Sequence, residues 1–270
     1  MVPIVTLTTD FGARDSYVAA MKGVILGIAR EARLVDVSHE VAAHDVTEAA
    51  LALEAAAPFF PAGTVHLAVV DPGVGTTRRG LAVVTDGARF VGPDNGLFTP
   101  FLEGRDWRAF ELTAPDYRLR AVSRTFHGRD VFAPAAAHLA LGLAPERLGP
   151  AVDDPVRLHW STVREAHGAV AGTVLHVDRF GNLVTSIHSD AIASLGSGVR
   201  VRVAGRSLPL VRTYGDLAGR EPGALVGSSK RLEIAVSAGS AARVLRAGLG
   251  TPVVVSRTSA AAERRARRRR

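Results

Sequence analysis

The stretch VVDPGVGTTRRGLAVV, Val69–Val84, joins two apolar segments through a glycine-rich loop. The segment that leads into it, Val65–Val70, has the apolar character expected of a strand that is covered on both faces. A plain hairpin needs no charge at Asp71, Arg78 or Arg79. The stretch therefore predicts a buried strand that ends in a loop, whose charges serve a turn, a phosphate cradle or a catalytic site.

Strands and helices alternate on both sides of this stretch. The predicted strands are residues 3–9, Arg33–Val37, Val65–Val70, Leu81–Thr85 and Arg89–Gly92. The predicted helices are Tyr17–Ala29, Val46–Ala57 and a segment that begins near Val131. This alternation predicts an α/β catalytic domain over residues 1–150, with a mixed, mainly parallel sheet and helices.

The pattern changes after about residue 150, where helical periodicity fades and short strands follow one another. They are predicted at Thr173–Val177, Val184–Ile187, Val199–Val203, Ser207–Leu210, Ala224–Val226, Leu232–Val236 and Pro252–Val255. Such a series predicts a β-barrel domain over residues 161–257, joined by a proline-containing linker over 151–160. Residues 258–270 are predicted to form a disordered, arginine-rich tail.

Composition excludes several classes of function. The chain has 270 residues, 47% of them hydrophobic, and no cysteine, which rules out disulfides and thiolate catalysis. No apolar run reaches the length of a membrane span and the N-terminus does not resemble a secretory signal, so we expect a cytoplasmic enzyme. The last eight residues, ERRARRRR, carry +5 of the net +7. Nucleic-acid binding is therefore expected only as non-specific contact through the tail.

Two loops follow strands in the first half, where open α/β sheets bind their ligands. In TTDFGARDSY, Asp10 either accepts the two hydroxyls of a ribose or caps a turn. The DFG triplet lacks the other kinase motifs, so a kinase is excluded. DPGVGTTRRG lacks the spacing and lysine of a P-loop. Asp71 is thus a turn residue or a catalytic one.

Other polar clusters are weaker taken singly. His127 precedes a predicted helix start in TFHGRDVF, a position that favours an anion or nucleophile. GPDNG reads as a structural turn. Asp178 and Asn182 flank a tight turn in VDRFGNLVTSI, and Ser228 with Ser229 precedes a strand. Each of these pairs fits an ordinary hairpin as well as a binding site.

In their order along the chain, these motifs resemble the S-adenosylmethionine (SAM) hydrolase family, also called SAM hydroxide adenosyltransferases. The motifs are TTDFG, SHEV, VVDPGVGTTRRGLAV, GPDNG, TFHGRDVFAPAAAHLA, VDRFGNLVTSI and SSKRLEIAVSAGSAA. The resemblance runs from about residue 4 to 255, and the family is homologous to the fluorinase and chlorinase enzymes. It implies SAM as substrate, no cofactor or metal, and a homotrimer with active sites between subunits.

The resemblance implies hydrolysis of SAM to adenosine and L-methionine by a triad of Asp71, Arg78 and His127. Fluorinases have an aromatic residue at the position of Asp71, and chlorinases also lack this pattern, so water is implied as the nucleophile rather than halide. The alternatives are a halide-dependent adenosyl transferase and a protein that binds SAM or adenosine without catalysis.

The resemblance also assigns positions around the substrate. They are Asp10 for the ribose hydroxyls, Asp178 for the methionine amino group, Asn182 for adenine, Tyr214 for stacking on adenine and Ser228 for the methionine carboxylate, with Ser229, Glu233 and Ala238 completing the set. Ser229 stands where fluorinases have an arginine, and Lys230, Arg231 or backbone amides are candidates for the missing charge. His44 falls where fluorinases have a tryptophan that packs on the substrate, and its role is open.

The chemistry suits these residue types. The leaving group at ribose C5′ is a neutral thioether, so no general acid is needed. Water attacks poorly because its pKa is about 15.7 and no metal site is apparent to lower it. Our hypothesis is that His127 accepts or shares the water proton, that Asp71 orients the array and that Arg78 keeps Asp71 ionised. Which group takes the proton is left open by the sequence.

Overall fold

The computed structural model describes residues 2–103, 106–160, 163–165 and 168–257. The chain divides after Leu158 into an N-terminal and a C-terminal unit, a boundary that falls within the predicted linker. The predicted arginine-rich tail, 258–270, lies outside the described residues.

The N-terminal unit contains most of the helices. Its strands are β1 (Ile4–Thr9), β2 (Arg33–Ser38), β3 (Thr64–Val69), β4 (Gly80–Thr85), β5 (Ala88–Pro93), β6 (Trp107–Glu111) and β7 (Ala151–Val152). Its α-helices are α1 (Tyr17–Ile28), α2 (Val46–Ala56) and α3 (Ala133–Ala140). A π-helical turn, Gly128–Phe132, leads directly into α3, and short 3-10 helices lie at Ala57–Phe59, Thr99–Phe101, Pro115–Tyr117 and Pro145–Leu148.

The strands of this unit form one sheet in the order β2-β1-β3-β5-β4-β6-β7. The first four strands in that order run parallel, and the remaining three are joined antiparallel. The predicted α/β class with a mixed sheet and helices is confirmed, although the sheet is parallel in three of its six strand pairings rather than mainly parallel. Because β1 and β3 are adjacent and parallel, the loops that follow them leave the same edge of the sheet. Asp10 and Asp71 therefore start from neighbouring positions.

The core of the unit lies between the sheet and its helices. Val5, Leu7 and Leu67 of the central strands are fully buried, and α1 packs Met21 and Ile25 against them. The removal of these apolar side chains from water is the main contribution to the stability of the packed sheet and helices. The two strands that bear the site are thus its most deeply buried elements.

The C-terminal unit is built mainly of antiparallel strands. They are β8 (Val163–Glu165), β9 (Ala169–Val177), β10 (Leu183–His188), β11 (Val199–Val203), β12 (Arg206–Pro209), β13 (Pro222–Val226), β14 (Arg231–Val236) and β15 (Pro252–Arg257). Two short helices, α4 (Ser189–Ala193) and α5 (Ala241–Leu245), and a 3-10 turn at Tyr214–Asp216 complete it.

Its sheet closes nearly into a barrel. The strand order is β12-β11-β15-β9-β10-β14-β13, with β8 paired to β9. A bridge between Leu210 and Ala224 joins the two ends of that order, because Leu210 directly follows β12 and Ala224 lies in β13. Val170, Leu183 and Ile234 fill the interior. The predicted barrel fold is confirmed, and closure leaves fewer exposed strand edges.

The sequence reasoning missed β6, β7 and β8. In β6, WRAFE, only Ala109 and Phe110 are buried and Arg108 is exposed, and in β7 only two residues pair with β6. Strands this short, or half exposed at the margin of a sheet, give no continuous apolar run for a pattern to detect.

Candidate functional site

The N-terminal unit has a cavity of about 310 Å³ at the edge where β1 and β3 end. Three predicted site residues line it, namely Asp10, Asp71 and His127. Phe11, Tyr17 and Phe126 supply an aromatic wall, with ring centroids 5.2–5.9 Å apart. The cavity therefore joins two carboxylates and an imidazole to an apolar surface.

Arg78 links the ionisable groups of this cavity. Its Nε donates to Oδ1 of Asp71 at 2.8 Å, and its Nη2 donates to the other carboxylate oxygen, so the pair is bidentate. Asp71 keeps 6% and Arg78 12% of its side-chain surface exposed. The guanidinium also lies 5.0 Å from the ring centroid of Phe132. A planar, two-point contact of this kind fixes orientation as well as charge.

His127 completes the cluster, with Nδ1 3.0 Å from Nη2 of Arg78. A guanidinium can only donate, so Nδ1 accepts and the proton of the neutral ring lies on Nε2. Burial, followed by the positive charge of Arg78, lowers the pKa of His127 below its usual 6.5. The ring is consequently held neutral, in the tautomer that donates through Nε2. The structure thus brings Asp71, Arg78 and His127 together.

Close packing between two loops places this cluster. Gly75 has φ +79° and lies so near the backbone carbonyl of Arg124 that an added Cβ would be 2.5 Å from its oxygen. Only glycine fits both constraints. The loop that carries Asp71 and Arg78 is thereby packed against the segment that leads to His127.

The π-helical turn follows His127 directly, where the sequence predicted a helix starting near Val131. The amide of Ala133 donates to the carbonyl of Gly128, five residues back, as in a π-helix. Asp130 is fully buried and accepts from Nε of Arg129 at 2.6 Å and from the amide of Ser123 at 2.8 Å. Burial opposes ionisation, but these donors lower the pKa of Asp130. Asp130 therefore anchors the loop before His127 rather than entering the cavity.

Asp10 lies on the opposite wall, with 8% of its side chain exposed. Its Oδ2 accepts the backbone amide of His44 at 2.9 Å. His44 has φ +67°, and its imidazole, 74% exposed, stands 3.9 Å from the same carboxylate. His44 thus serves Asp10 through its backbone and places a polar ring at the rim.

Arg79, which the sequence left unassigned, points away from the cluster. It contacts Oδ2 of Asp94 at 2.7–2.8 Å and donates to Asp154 at 2.7 Å. The other oxygen of Asp94 accepts the amide of Val156. Asn95 donates to the carbonyl of Val70. The GPDNG turn is structural, as predicted, and Arg79 fastens it to the chain that follows β7.

The C-terminal unit has a separate cavity of about 740 Å³. Most of the substrate positions predicted in this half line it, namely Asp178, Asn182, Tyr214, Ser228, Glu233 and Ala238. Ser229 is not among the described residues that line it. The lining also includes Phe180, Ser240 and Arg243, which the sequence reasoning missed. Phe180 is 75% exposed, and an exposed aromatic in a glycine turn was the available signal.

The turn at Asp178 is internally bonded. Its Oδ1 accepts the amides of Phe180 and Asn182 at 2.9 and 2.8 Å, and its Oδ2 accepts Nδ2 of Asn182 at 2.9 Å. The predicted hairpin is therefore present, and the same bonds fix both side chains at the cavity wall.

Tyr214 and Glu233 form a second pair in this cavity. The phenol donates to Oε2 of Glu233 at 2.6 Å, and burial followed by that carboxylate raises the pKa of Tyr214. Glu233 is 8% exposed and fills the space that a Cβ at Gly227 would need. The aromatic ring is accordingly held in one orientation.

Lys230 and Arg231 are the side-chain candidates for the positive charge that fluorinases have at the position of Ser229, and the structure distinguishes between them. Arg231 is 2% exposed, and its guanidinium lies 4.9 Å from the ring centroid of Trp160, so it is structural. Lys230 has φ +62° in the hairpin turn. Arg243 of α5 is the cation that lines the cavity.

Within the described part of the chain, no cluster of acidic or histidine side chains suited to a metal is found. Over the same residues, no helix has the length and apolarity to cross a membrane.

An α/β unit with an Asp–Arg–His cluster at the carboxyl ends of its strands, joined to a β-barrel unit, describes a known class of two-domain protein. Residues 5–149 match the SAM hydroxide adenosyltransferase N-terminal domain, and residues 172–254 match its C-terminal domain. The chain belongs to the SAM hydroxide adenosyltransferase family, which confirms the resemblance seen in its motifs.

Individual relatives agree with this assignment. An (R)-S-adenosyl-L-methionine hydrolase of Thermus thermophilus is 44% identical, and the match covers 94% of this chain and 99% of the relative. A fluorinase of Actinopolyspora mzabensis is 30% identical, covering 95% and 98%. The crystal structure of an uncharacterized conserved protein from Thermotoga maritima, 36% identical, superposes with a TM-score of 0.85 over 94% of this chain and 100% of that one.

Proposed function

We propose that this protein is an enzyme that hydrolyses SAM to adenosine and L-methionine. The observation that carries the proposal is the Asp71–Arg78–His127 cluster, of which Asp71 and His127 line a cavity that Asp10 also lines. The higher identity to SAM hydrolases than to a fluorinase supports water over halide as the nucleophile.

The reaction needs a positioned nucleophile more than an acid. A water oxygen forms the new bond to ribose C5′, and the C–S electron pair leaves with methionine as a neutral thioether. One water proton is released. Because a hydroxide-like oxygen attacks a sulfonium, charge is neutralised in the transition state, and a cavity that excludes water favours it.

The tautomer of His127 supports one assignment of roles. With Nδ1 occupied by Arg78, its Nε2–H donates to the attacking oxygen and orients it. Asp71 is then the acceptor for the released proton, since a carboxylate retains free lone pairs after a bidentate contact with Arg78. Arg78 contacts both Asp71 and His127 and so fixes their relative positions. This differs from the hypothesis that His127 is the base.

The substrate positions remain part of the proposal. We assign Asp10 to the ribose hydroxyls, and the cavity of the C-terminal unit to adenine and the methionine end. The residues assigned there are Asp178, Asn182, Tyr214, Ser228, Glu233 and Ala238, while Ser229, which is not among the residues that line the cavity, is assigned from the family resemblance. No cofactor enters the scheme.

We further propose a homotrimer whose active sites lie between subunits. The family resemblance supports this. Light scattering of the purified protein is expected to give three times the chain mass. A monomer that retains full turnover would refute the arrangement.

The direct test is incubation with each sulfonium epimer of SAM, because the hydrolase relatives are named for the (R) form. Chromatography is expected to show adenosine and methionine in equal amounts. Adenosine at the level of the enzyme-free control would refute hydrolysis. The appearance of 5′-chloro-5′-deoxyadenosine in high chloride would instead indicate the halide reaction, and retained SAM without turnover would indicate a binding protein.

Two substitutions test the role of His127. His127→Gln keeps an N–H at about the position of Nε2, whereas His127→Ala removes it. If His127 donates, the glutamine variant keeps much of the activity and the alanine variant loses about 10²–10⁴-fold. Equal losses in both would support a general base instead.

The pH profile offers an independent check. Protonation would place an N–H at Nδ1 against the guanidinium of Arg78, so activity requires the neutral ring. Since the pKa of His127 is lowered, kcat/KM is expected to stay constant through neutral pH and to fall only below the usual 6.5. An acid limb centred above that value would contradict the assignment.

A further inference from the structure

His39 lies beside the loop that carries Asp10, yet no step of the proposed reaction uses it. It belongs to SHEV, Ser38–Val41, and follows β2 directly. Its side chain is only 10% exposed. A polar ring enclosed this fully has a structural or functional partner, and its contacts show which.

An irregularity in strand pairing brings His39 to this place. In β1 and β2, Leu7 pairs with Asp36, but Thr8 pairs with Ser38. One residue of β2 is therefore bulged out, and the register advances by one. Bulges redirect the side chains that follow them and are common beside active sites. Here the shift sets His39 next to the end of β1.

Two hydrogen bonds join His39 to the end of β1 and the turn that follows it, and a third bond lies within that turn. Its Nδ1 is 2.8 Å from Oγ1 of Thr9, which is fully buried. Its carbonyl accepts the amide of Gly12 at 2.7 Å. Oγ1 of Thr9 also accepts the amide of Phe11. The residue between these contacts is Asp10, and both Asp10 and Phe11 line the cavity.

The far side of the ring lies at ion-pair distance from a carboxylate, without the geometry of a hydrogen bond. Nε2 of His39 is 3.0 Å from Oδ1 of Asp36, and Nζ of Lys22 donates to the other oxygen at 2.7 Å. Facing a carboxylate, Nε2 carries the proton of the neutral ring, which leaves Nδ1 to accept the hydroxyl of Thr9. The proton donors thus point in one direction from the amide of Phe11 through Thr9 and His39 to Asp36, and Lys22 donates to Asp36 from the other side.

We propose that His39 is a positioning residue that fixes Asp10 by holding Thr9 and the turn up to Gly12. The inference rests on the proposed function, because it concerns how Asp10 meets the ribose. Loss of the Thr9 contact would free the turn and misplace the carboxylate. A misplacement of about 1 Å is enough to lower a rate by about 100-fold.

Two conservative variants separate positioning from packing. In His39→Asn the amide sits near the position of Nδ1 and can still bond Thr9. In His39→Gln it sits near Nε2 and can still meet Asp36. We expect the asparagine variant to keep kcat/KM within about 3-fold of wild type, and the glutamine variant to lose about 10- to 100-fold, chiefly through a higher KM.

The chain offers a matched control on the same strand. Thr6 makes the same bond, Oγ1 to Nδ1 of buried His66 at 2.8 Å, three residues earlier in β1. His66→Asn is expected to change stability but not kcat/KM. A second control is the Asp10→Ala background, in which His39→Gln should weaken adenosine binding no further, because its effect acts through Asp10.

Adenosine binding by calorimetry accompanies turnover, so the two proposals can fail separately. If wild type binds adenosine without hydrolysing SAM, the proposed function fails, and weaker adenosine binding in His39→Gln still supports positioning. If the glutamine and asparagine variants match each other, or His66→Asn shows the same loss, the positioning role is overturned. Additive losses with Asp10→Ala would overturn it too. Wild type that neither binds nor hydrolyses would overturn both proposals.

Discussion

We expect acid to destabilise the N-terminal unit through His66, a buried side chain in β3. It is 1% exposed, and its ring stacks on Phe90 and meets Phe60 edge-on, with centroids 5.1 and 5.5 Å away. Nδ1 contacts Thr6, while Nε2 has no hydrogen-bond partner among the described residues. A proton added to this ring would carry charge into an apolar, unpartnered position.

The size of the effect follows from the pKa. Burial lowers the pKa of His66 from 6.5 to about 4. A group whose pKa is lower in the folded state makes its full contribution to stability above pH 6.5. That contribution to the free energy of unfolding is lost as the pH falls from 6.5 towards 4. At 1.36 kcal/mol per pKa unit, the free energy of unfolding is expected to drop by about 3 kcal/mol across this window.

The assay is urea unfolding at a series of pH values, with wild type compared with His66→Phe. Trp107 fluorescence in a Trp160→Phe background reports the N-terminal unit, since the chain has two tryptophans. The variant loses the Thr6 bond, so its stability at neutral pH is expected to be about 1 kcal/mol lower. Its stability should then fall about 3 kcal/mol less than that of wild type on acidification. Parallel pH profiles for the two proteins would refute the reasoning.

Three other substitutions probe the two cavities. Arg78→Met leaves the Asp71 carboxylate buried and unpaired. The rate of adenosine release is therefore expected to fall at least about 100-fold, and the free energy of unfolding by about 3–5 kcal/mol. Near-normal turnover would contradict this. Tyr214→Phe removes the bond to Glu233 and should raise KM for SAM more than it lowers kcat, which steady-state kinetics would show, whereas a pure kcat effect would not fit. Gly75→Ala places a side chain at φ +79° against a carbonyl, and thermal unfolding should report a loss of about 1–3 kcal/mol. An unchanged melting temperature would argue against that packing.

Sequence patterns predicted the elements that are buried on both faces. β1 and β3 appear within one residue of their predicted bounds, because strands covered on both sides carry apolar runs. β6, which lies between β4 and β7, was missed because only two of its residues, Ala109 and Phe110, are buried. The two-residue β7 exists through its pairing with β6, which is a long-range contact that local pattern does not contain.

The candidate site likewise contains features that the sequence predicted and features that it did not. Motif order indicated Asp71, Arg78 and His127, and the structure places them in contact. The sequence could not predict the tautomer of His127, because the tautomer depends on which ring nitrogen faces Arg78. His39 was hidden for a similar reason. Its role arises from a register shift between β1 and β2 rather than from its neighbours along the chain.

The π-helical turn at Gly128–Phe132 bears on how such a site arises or is lost. A π-turn holds one residue more than an α-helical turn. If the same residues adopted regular α-helical bonding, the preceding chain would rotate by about 100° relative to α3, and His127, the residue just before the turn, would move away from Arg78. The π-turn instead accommodates the additional residue within one turn, so the chain on either side keeps its orientation. The position of His127 beside Arg78 thus depends on the hydrogen-bond pattern of a single turn, without any change in the three side chains of the cluster.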